Sequence, residues 1–215
     1  MESIFDPDLF ISKDYQTITF SYQEISQSLF SLTSSTTDYD LTGQILWPAA
    51  EYLSKYIIDN PTIFKDQLVL ELGSGVGLSG LISSIYAKKA YLTDGNDTVI
   101  ELLEKNRVFA KKENVFVKKL LWGKENTLDL LKEIDDIDIV IGTDVLFWPD
   151  SIKPLVETLK TIKDKFPASL ILFSICYRAK YPESVFDDLL KEAGLEKIVI
   201  MKEGSIFLYK IDRFS

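Results

Sequence analysis

The run LVLELGSGVGLSG, residues 68–80, constrains the fold more than any other stretch of the chain. A short apolar run, interrupted only by Glu71, leads into Gly73, Gly75 and Gly77, and the apolar segment that follows has helical character. A strand, a glycine turn and a helix N-terminus, in that order, bring bare backbone up against a ligand. A second apolar run, Ala90–Thr93, ends at Asp94. At the tip of a neighbouring parallel strand, that acid can accept hydrogen bonds from both hydroxyls of a ribose. Together these features predict an adenosine-type cofactor. A plain strand-to-helix turn would not need three glycines and a spaced acid.

Two cofactor classes fit the pattern. Gly75, Gly77 and Gly80 satisfy GxGxxG, so a dinucleotide is formally allowed, although that motif alone is a weak signal. Glu71 favours the other class. Close to a pyrophosphate an acid repels the ligand, whereas beside the cationic amino-acid end of S-adenosylmethionine, directly or through water, it helps. The candidate cofactor contacts in this stretch are Glu71, Gly73, Ser74, Gly75 and Asp94.

Composition narrows the chemistry. With 215 residues the chain can build one substantial core, and nothing in it resembles a linker between two domains. It has no histidine, which removes Ser-His and Cys-His nucleophilic machinery and argues against a catalytic zinc, so no metal site is expected. Its one cysteine, Cys176, cannot form an internal disulfide and reads as a small core residue of an apolar strand. The N-terminus lacks the pattern of a secretory signal, and the longest apolar run, near Leu170–Tyr177, is far short of a membrane span. A cytoplasmic location is expected, with the nucleus as a further compartment, and no membrane partner. The net charge of −9 disfavours a general grip on nucleic acid and favours basic partners such as lysine-bearing protein surfaces. A monomer is expected.

In chain order, residues 1–40 read as an N-terminal arm carrying two short strands, Thr17–Phe20 and Ile25–Leu32, and then a polar loop. Pro48 is placed to open a helix that runs through Ile58 and stops at Asn60-Pro61. From Leu68 onward strands and helices alternate. Strands are predicted at Leu68–Leu72, Ala90–Thr93, Val115–Lys119 and Ile137–Gly142, and helices at Val76–Ala87, Asp97–Lys112, Asn126–Lys132 and Ser151–Lys163. Such alternation implies a parallel sheet covered on both faces. After a further apolar strand around Leu170–Cys176 and a helix over Glu183–Glu192, the chain ends in two strands joined by Glu203-Gly204, an antiparallel hairpin. The lysine pairs Lys111-Lys112 and Lys118-Lys119 read as solvated faces. Tyr177, Arg178 and Tyr181 are either surface groups or part of a substrate rim.

The segments LTGQILWPAAEYL, LVLELGSGVGLSGL, YLTDGN, LLWG and TDVLFWPD, in this order and spacing over residues 41–159, resemble methyltransferase family 16. These are seven-β-strand, S-adenosylmethionine-dependent protein-lysine methyltransferases, and the chain looks like their elongation-factor-2 branch. The resemblance implies an α/β, Rossmann-like class I methyltransferase domain over residues 41–215. Its seven-stranded mixed sheet would end in the antiparallel hairpin, with residues 1–40 packed on it as a β-containing extension. It further implies a protein substrate, the cofactor S-adenosyl-L-methionine and the product S-adenosyl-L-homocysteine. Trp47 matches the tryptophan lining the methionine end of the cofactor, Gly73 and Gly75 the glycines beneath it, Asp94 the ribose acid and Trp122 the tryptophan beside the adenine. Thr143 lies at the pocket rim. Asp144 and Phe147 match the catalytic DxxY/F motif, with phenylalanine where tyrosine is commoner. A small-molecule methyltransferase and an inactive cofactor-binding scaffold are the alternative readings.

Overall fold

The computed structural model describes residues 15–32, 42–134, 136–177 and 181–214. Arg178 therefore lies outside the described residues. A seven-stranded sheet has the order β5-β4-β3-β6-β7-β9-β8, built from β3 (Leu68–Leu72), β4 (Lys89–Asp94), β5 (Val115–Lys119), β6 (Ile139–Thr143), β7 (Leu170–Cys176), β8 (Leu195–Glu203) and β9 (Ile206–Arg213). Strands β3 to β7 pair in parallel, and β9 inserts antiparallel between β7 and β8. The order turns back at β3, whose neighbours are β4 and β6. The carboxyl ends of these strands form the switch point at which open α/β sheets bind ligands. The parallel part is what the strand-helix alternation predicted, and with the antiparallel hairpin at its edge it is the mixed, seven-stranded arrangement that the family resemblance implied.

The period-two alternation of the strands divides the core into two layers. Val69, Ile139 and Ile141 join one cluster with α1 (Pro48–Asp59), α2 (Pro61–Phe64), α3 (Leu78–Ser83) and α4 (Asp97–Phe109). Leu70, Leu72 and Val140 join the other, with α5 (Lys124–Glu133), α6 (Pro149–Lys165) and α7 (Tyr181–Glu192). Each helix therefore buries one apolar stripe against one sheet face.

A separate antiparallel pair, β1 (Gln16–Tyr22) and β2 (Ile25–Ser31), packs on the first layer. Phe20 and Leu29 are buried within it. Past β2, Leu32 donates to the Gln44 carbonyl at 2.8 Å and forms a lone bridge with Ile45.

Three local expectations shift. The helix predicted from Val76 to Ala87 is only Leu78–Ser83. The Ser83 and Ser84 hydroxyls donate to the Gly80 and Leu81 carbonyls three residues back, offering the backbone an alternative to the helix. Asn114 then holds the Ser84 and Ala87 carbonyls at 2.9 and 3.0 Å, turning the chain into β4. Helix α6 begins at Pro149, two residues before the expected start, because proline suits the first helical turn. Cys176 is half-buried at the end of β7 rather than in the core, with its Sγ 3.5 Å from the Ser205 hydroxyl. Lys118 and Lys119 form exposed ion pairs with Glu133 and Asp97, as solvated faces do.

Candidate active site

At the carboxyl ends of β3, β4 and β6 lies a cleft of about 480 Å³. Trp47, Gly73, Ser74, Gly75, Asp94, Trp122, Thr143, Asp144 and Phe147 all line it, so the fold brings together nearly every residue singled out from the sequence.

One wall is the glycine loop after β3. Gly73 and Gly75 have φ of 63° and 54°, in the left-handed region where a side chain is strained. Space is tight for one as well. A Cβ on Gly75 would lie 3.1 Å from the Gly43 carbonyl oxygen, and one on Gly73 would lie 3.0 Å from the Trp122 ring. The loop is stitched to β4 by reciprocal bonds: Ser74 N–H donates to the Thr93 carbonyl at 2.8 Å, and Thr93 N–H donates to the Ser74 hydroxyl at 3.0 Å. Ser74 is thus first a stitch and second a cleft residue. Asp94 closes the arrangement, accepting from the Gly75 and Asn96 N–H groups at 3.2 and 3.1 Å. Burial raises its carboxyl above the ordinary value, while these backbone donors pull the other way.

Glu71 is the exception. It shares the parity of Val69, so it points beneath α3 rather than into the cleft, and it is 1% exposed. Gly80 supplies the room, since a Cβ there would lie 2.5 Å from the Glu71 Oε2. Burial pushes the carboxyl up to about 7. The neighbouring Ser74, Ser79 and Gly80 groups offset only part of that, and among the described residues none meets hydrogen-bonding geometry with its oxygens. Glu71, expected to face the cofactor's cationic end directly or through water, is buried beneath α3 and does not line the cleft. Its carboxyl underlies the loop.

The opposite wall begins at the end of β6. Asp144 has φ of 51°, uncommon outside glycine and tolerated best by asparagine and aspartate. Its N–H donates to the Ser174 carbonyl at 2.9 Å, and its Oδ1 accepts from the Cys176 N–H at 2.8 Å. Both bonds go to β7, so the neighbouring strand fixes both backbone and carboxylate. Beside it Phe147 packs on Trp47 at 5.8 Å between ring centroids and on Trp148 at 5.0 Å, edge-on. The Trp47 indole N–H donates to the Thr42 carbonyl at 2.8 Å, which fixes the orientation of the ring. The result is an acid flanked by three aromatic rings, an arrangement suited to a cation on an apolar stem.

The sequence reading missed Trp148, Leu121, Thr42, Gly43, Ile45 and Leu46, all of which line the cleft. Leu121 is 55% exposed and sits next to Trp122 in the loop after β5. Tyr177 does not line the cleft. It packs edge-on against Phe207 and Tyr209, its hydroxyl 3.1 Å from the Lys197 ammonium, and burial raises its phenol.

The profile of the lysine methyltransferase family matches residues 27–193, which takes in the cleft and most of the sheet. The chain belongs to this family. The human protein-lysine N-methyltransferase EEF2KMT is 35% identical over 214 residues, covering 88% of this chain and 63% of its own length. The calmodulin-lysine N-methyltransferase of Arabidopsis thaliana is 29% identical over 167 residues, 74% of this chain and 54% of that one. The chain thus spans less than two thirds of these relatives. Among solved structures, the ribosomal protein L11 methylase of Lactobacillus delbrueckii subsp. bulgaricus superposes with a TM-score of 0.61 at 17% identity, covering 94% of this chain and 99% of that one. At that identity the likeness speaks for the fold. Family membership implies a cofactor of the S-adenosylmethionine type, and the cleft fits one: backbone is bare at Gly73 and Gly75, and an acid stands at the β4 tip.

Proposed function

We propose that the chain is an S-adenosylmethionine-dependent protein-lysine N-methyltransferase. The observation that carries this reading is Asp144, a carboxylate held by β7 in a left-handed backbone conformation beside Trp47, Phe147 and Trp148. Backbone kept in a sparsely populated region at a cleft wall is characteristic of functional sites.

Gly73, Ser74 and Gly75 would hold the cofactor through backbone, Asp94 its ribose, Leu121 and Trp122 its base, and Trp47 and Thr143 its methionine end. Bound there, S-adenosylmethionine supplies an electrophilic methyl group whose release needs no acid. The protein's own work is therefore positioning and exclusion of water. Asp144 attracts the acceptor's ε-ammonium and orients it. Trp47, Phe147 and Trp148 pack the aliphatic stem and shield the site. A lysine of ordinary pKa, near ~10.4, arrives protonated and must lose a proton before its lone pair can react. The open cleft mouth lets that proton go to solvent while Asp144 holds the nitrogen in place. Phe147 keeps the aromatic packing and offers no phenol hydroxyl, so the orienting role falls on Asp144.

The acidic surface suits a basic protein acceptor, and translation elongation factors are the first acceptors to test, chaperones the second. Radiolabelled S-adenosylmethionine incubated with the protein and an extract lacking it should label a discrete protein band, with the label in methyl-lysine. The Asp144→Ala variant should leave that band unlabelled. Label appearing only in small molecules, or equal labelling by the variant, would defeat this reading.

A further inference from the structure

Asn106 lies on the inner side of α4, away from the rings and acids of the cleft, and it is fully buried. Its amide makes three bonds. Nδ2 donates to the Val76 carbonyl at 2.8 Å and to the Phe30 carbonyl at 3.1 Å, and Oδ1 accepts from the Phe30 N–H at 2.7 Å. Both amide hydrogens are used, one on each side. One partner, Val76, lines the cleft immediately after Gly75. The other, Phe30, belongs to β2 of the N-terminal hairpin.

The same strand, together with Leu32 just past its end, holds the other side of the proposed cofactor half of the cleft. The Ser31 hydroxyl accepts from the Leu46 N–H at 3.2 Å, and Leu32 N–H donates to the Gln44 carbonyl at 2.8 Å. Those bonds fix the segment Thr42–Trp47, whose Gly43 carbonyl lies directly against Gly75. Strand β2 thus reaches the glycine loop by two routes: through Asn106 to Val76, and through Ser31 and Leu32 to Gly43. An apolar residue at position 106 could have fastened helix to hairpin by burial alone. The amide instead ties the hairpin to a carbonyl within the cofactor loop, and a fully satisfied buried network of this kind specifies one geometry.

We infer that Asn106 is a positioning residue through which the N-terminal β1–β2 hairpin sets the affinity of the glycine loop for cofactor. This rests on the cofactor assignment proposed above. The hairpin is then part of the binding apparatus, although it contributes no residue to the cleft wall.

The test is calorimetric binding of S-adenosylhomocysteine to the full chain, together with hydrogen exchange of the amides at residues 73–77. In Asn106→Leu, and in Asn106→Asp, which keeps the acceptor but loses both donors, the dissociation constant should rise about tenfold or more, in line with loss of buried hydrogen bonds. Exchange at the loop should quicken. Val115→Ala serves as control: it removes buried volume from the same core layer at the end of the sheet remote from the cleft, and it should lower the melting temperature without moving the dissociation constant. Ser31→Ala, a milder cut of the second route, should raise the dissociation constant by a few-fold and keeps the idea testable if the Asn106 variants do not fold. Unchanged affinity in the Asn106 variants, or an equal loss in Val115→Ala, would overturn the inference. Failure of the unmodified protein to bind S-adenosylhomocysteine would overturn the cofactor assignment beneath it, a distinguishable result.

Discussion

At the tips of β3 and β4 the cleft wall is glycine backbone held from behind by polar groups: Ser74 and Thr93 exchange bonds, Gly75 donates to the Asp94 carboxylate, and the Asn106 amide reaches in to the Val76 carbonyl. At the tip of β6 the wall is made of side chains: an aspartate anchored by β7, and Phe147 packed between the rings of Trp47 and Trp148. The first wall suits a ligand of invariant shape, because the bare main chain at Gly73 and Gly75 leaves little for substitution to change. The second suits a partner that differs from one enzyme to the next, since each ring can be altered while the strand beneath it stays. Relatives named for different acceptors fit that division of labour.

The sharpest way to break the comparison is to separate binding from transfer. Asp144→Ala should lower methyl transfer by on the order of 10²–10³-fold, the usual loss when a preorganised polar group at a reacting centre is removed. S-adenosylhomocysteine binding should change by less than about threefold. If affinity fell as far as rate, the two walls would be a single unit.

The next effect lies under the cofactor wall. The Glu71 carboxyl moves from an ordinary 4.5 to about 7 on burial. Between those values the folded protein binds a proton that the unfolded chain has released, so stability from this group is full at low pH and declines as pH rises through 7. Glu71→Gln removes that decline. At pH 8 the variant should be more stable than the unmodified protein by on the order of 3 kcal/mol, and at pH 4 the two should nearly coincide. Chemical denaturation at both pH values measures the difference. Equal slopes would mean that the carboxyl finds partners on folding. Asp94→Ala tests the same wall from its rim, with an expected loss of about 1.5–3 kcal/mol in cofactor affinity, as for hydrogen bonds to a charged group. Transfer at saturating cofactor should be far less affected.

How much could be read from the sequence follows the same division. The glycine wall of the cleft was legible because a tight turn with close backbone approach demands glycine, a requirement that leaves fixed spacing behind. Glu71 went astray within that legible stretch, although the parity it shares with Val69 already directed it away from the cleft. The hairpin looked like an arm because Asn106 meets Phe30 across a long sequence separation, and no local pattern announces a buried amide with partners on both sides. The helix after Gly77 was read too long, since apolar periodicity continues past the serines whose hydroxyls end it. Trp148 was passed over although it stands inside the segment TDVLFWPD, because nothing in the order of residues there tells a cleft ring from a core one.

Trp148 gives the smallest of these effects and the one most specific to the acceptor wall. Its ring meets Phe147 edge-on, and its carbonyl accepts from the Ser151 N–H and hydroxyl at 3.1 and 2.7 Å, so the first turn of α6 holds the residue through backbone. Replacement by alanine should therefore leave the helix start intact and remove only the ring. The contact of one aromatic with a cationic stem contributes about 1 kcal/mol at a partly exposed site. Trp148→Ala should accordingly raise KM for the protein acceptor roughly fivefold, leave kcat within about twofold, and leave S-adenosylhomocysteine affinity unchanged. A phenylalanine in its place should recover most of the loss, because the face of the ring rather than the indole N–H makes the contact. If the variant instead weakened cofactor binding, the rings would belong to the cofactor wall, and the acceptor would have to approach Asp144 from the side of Asp150 and Ser151.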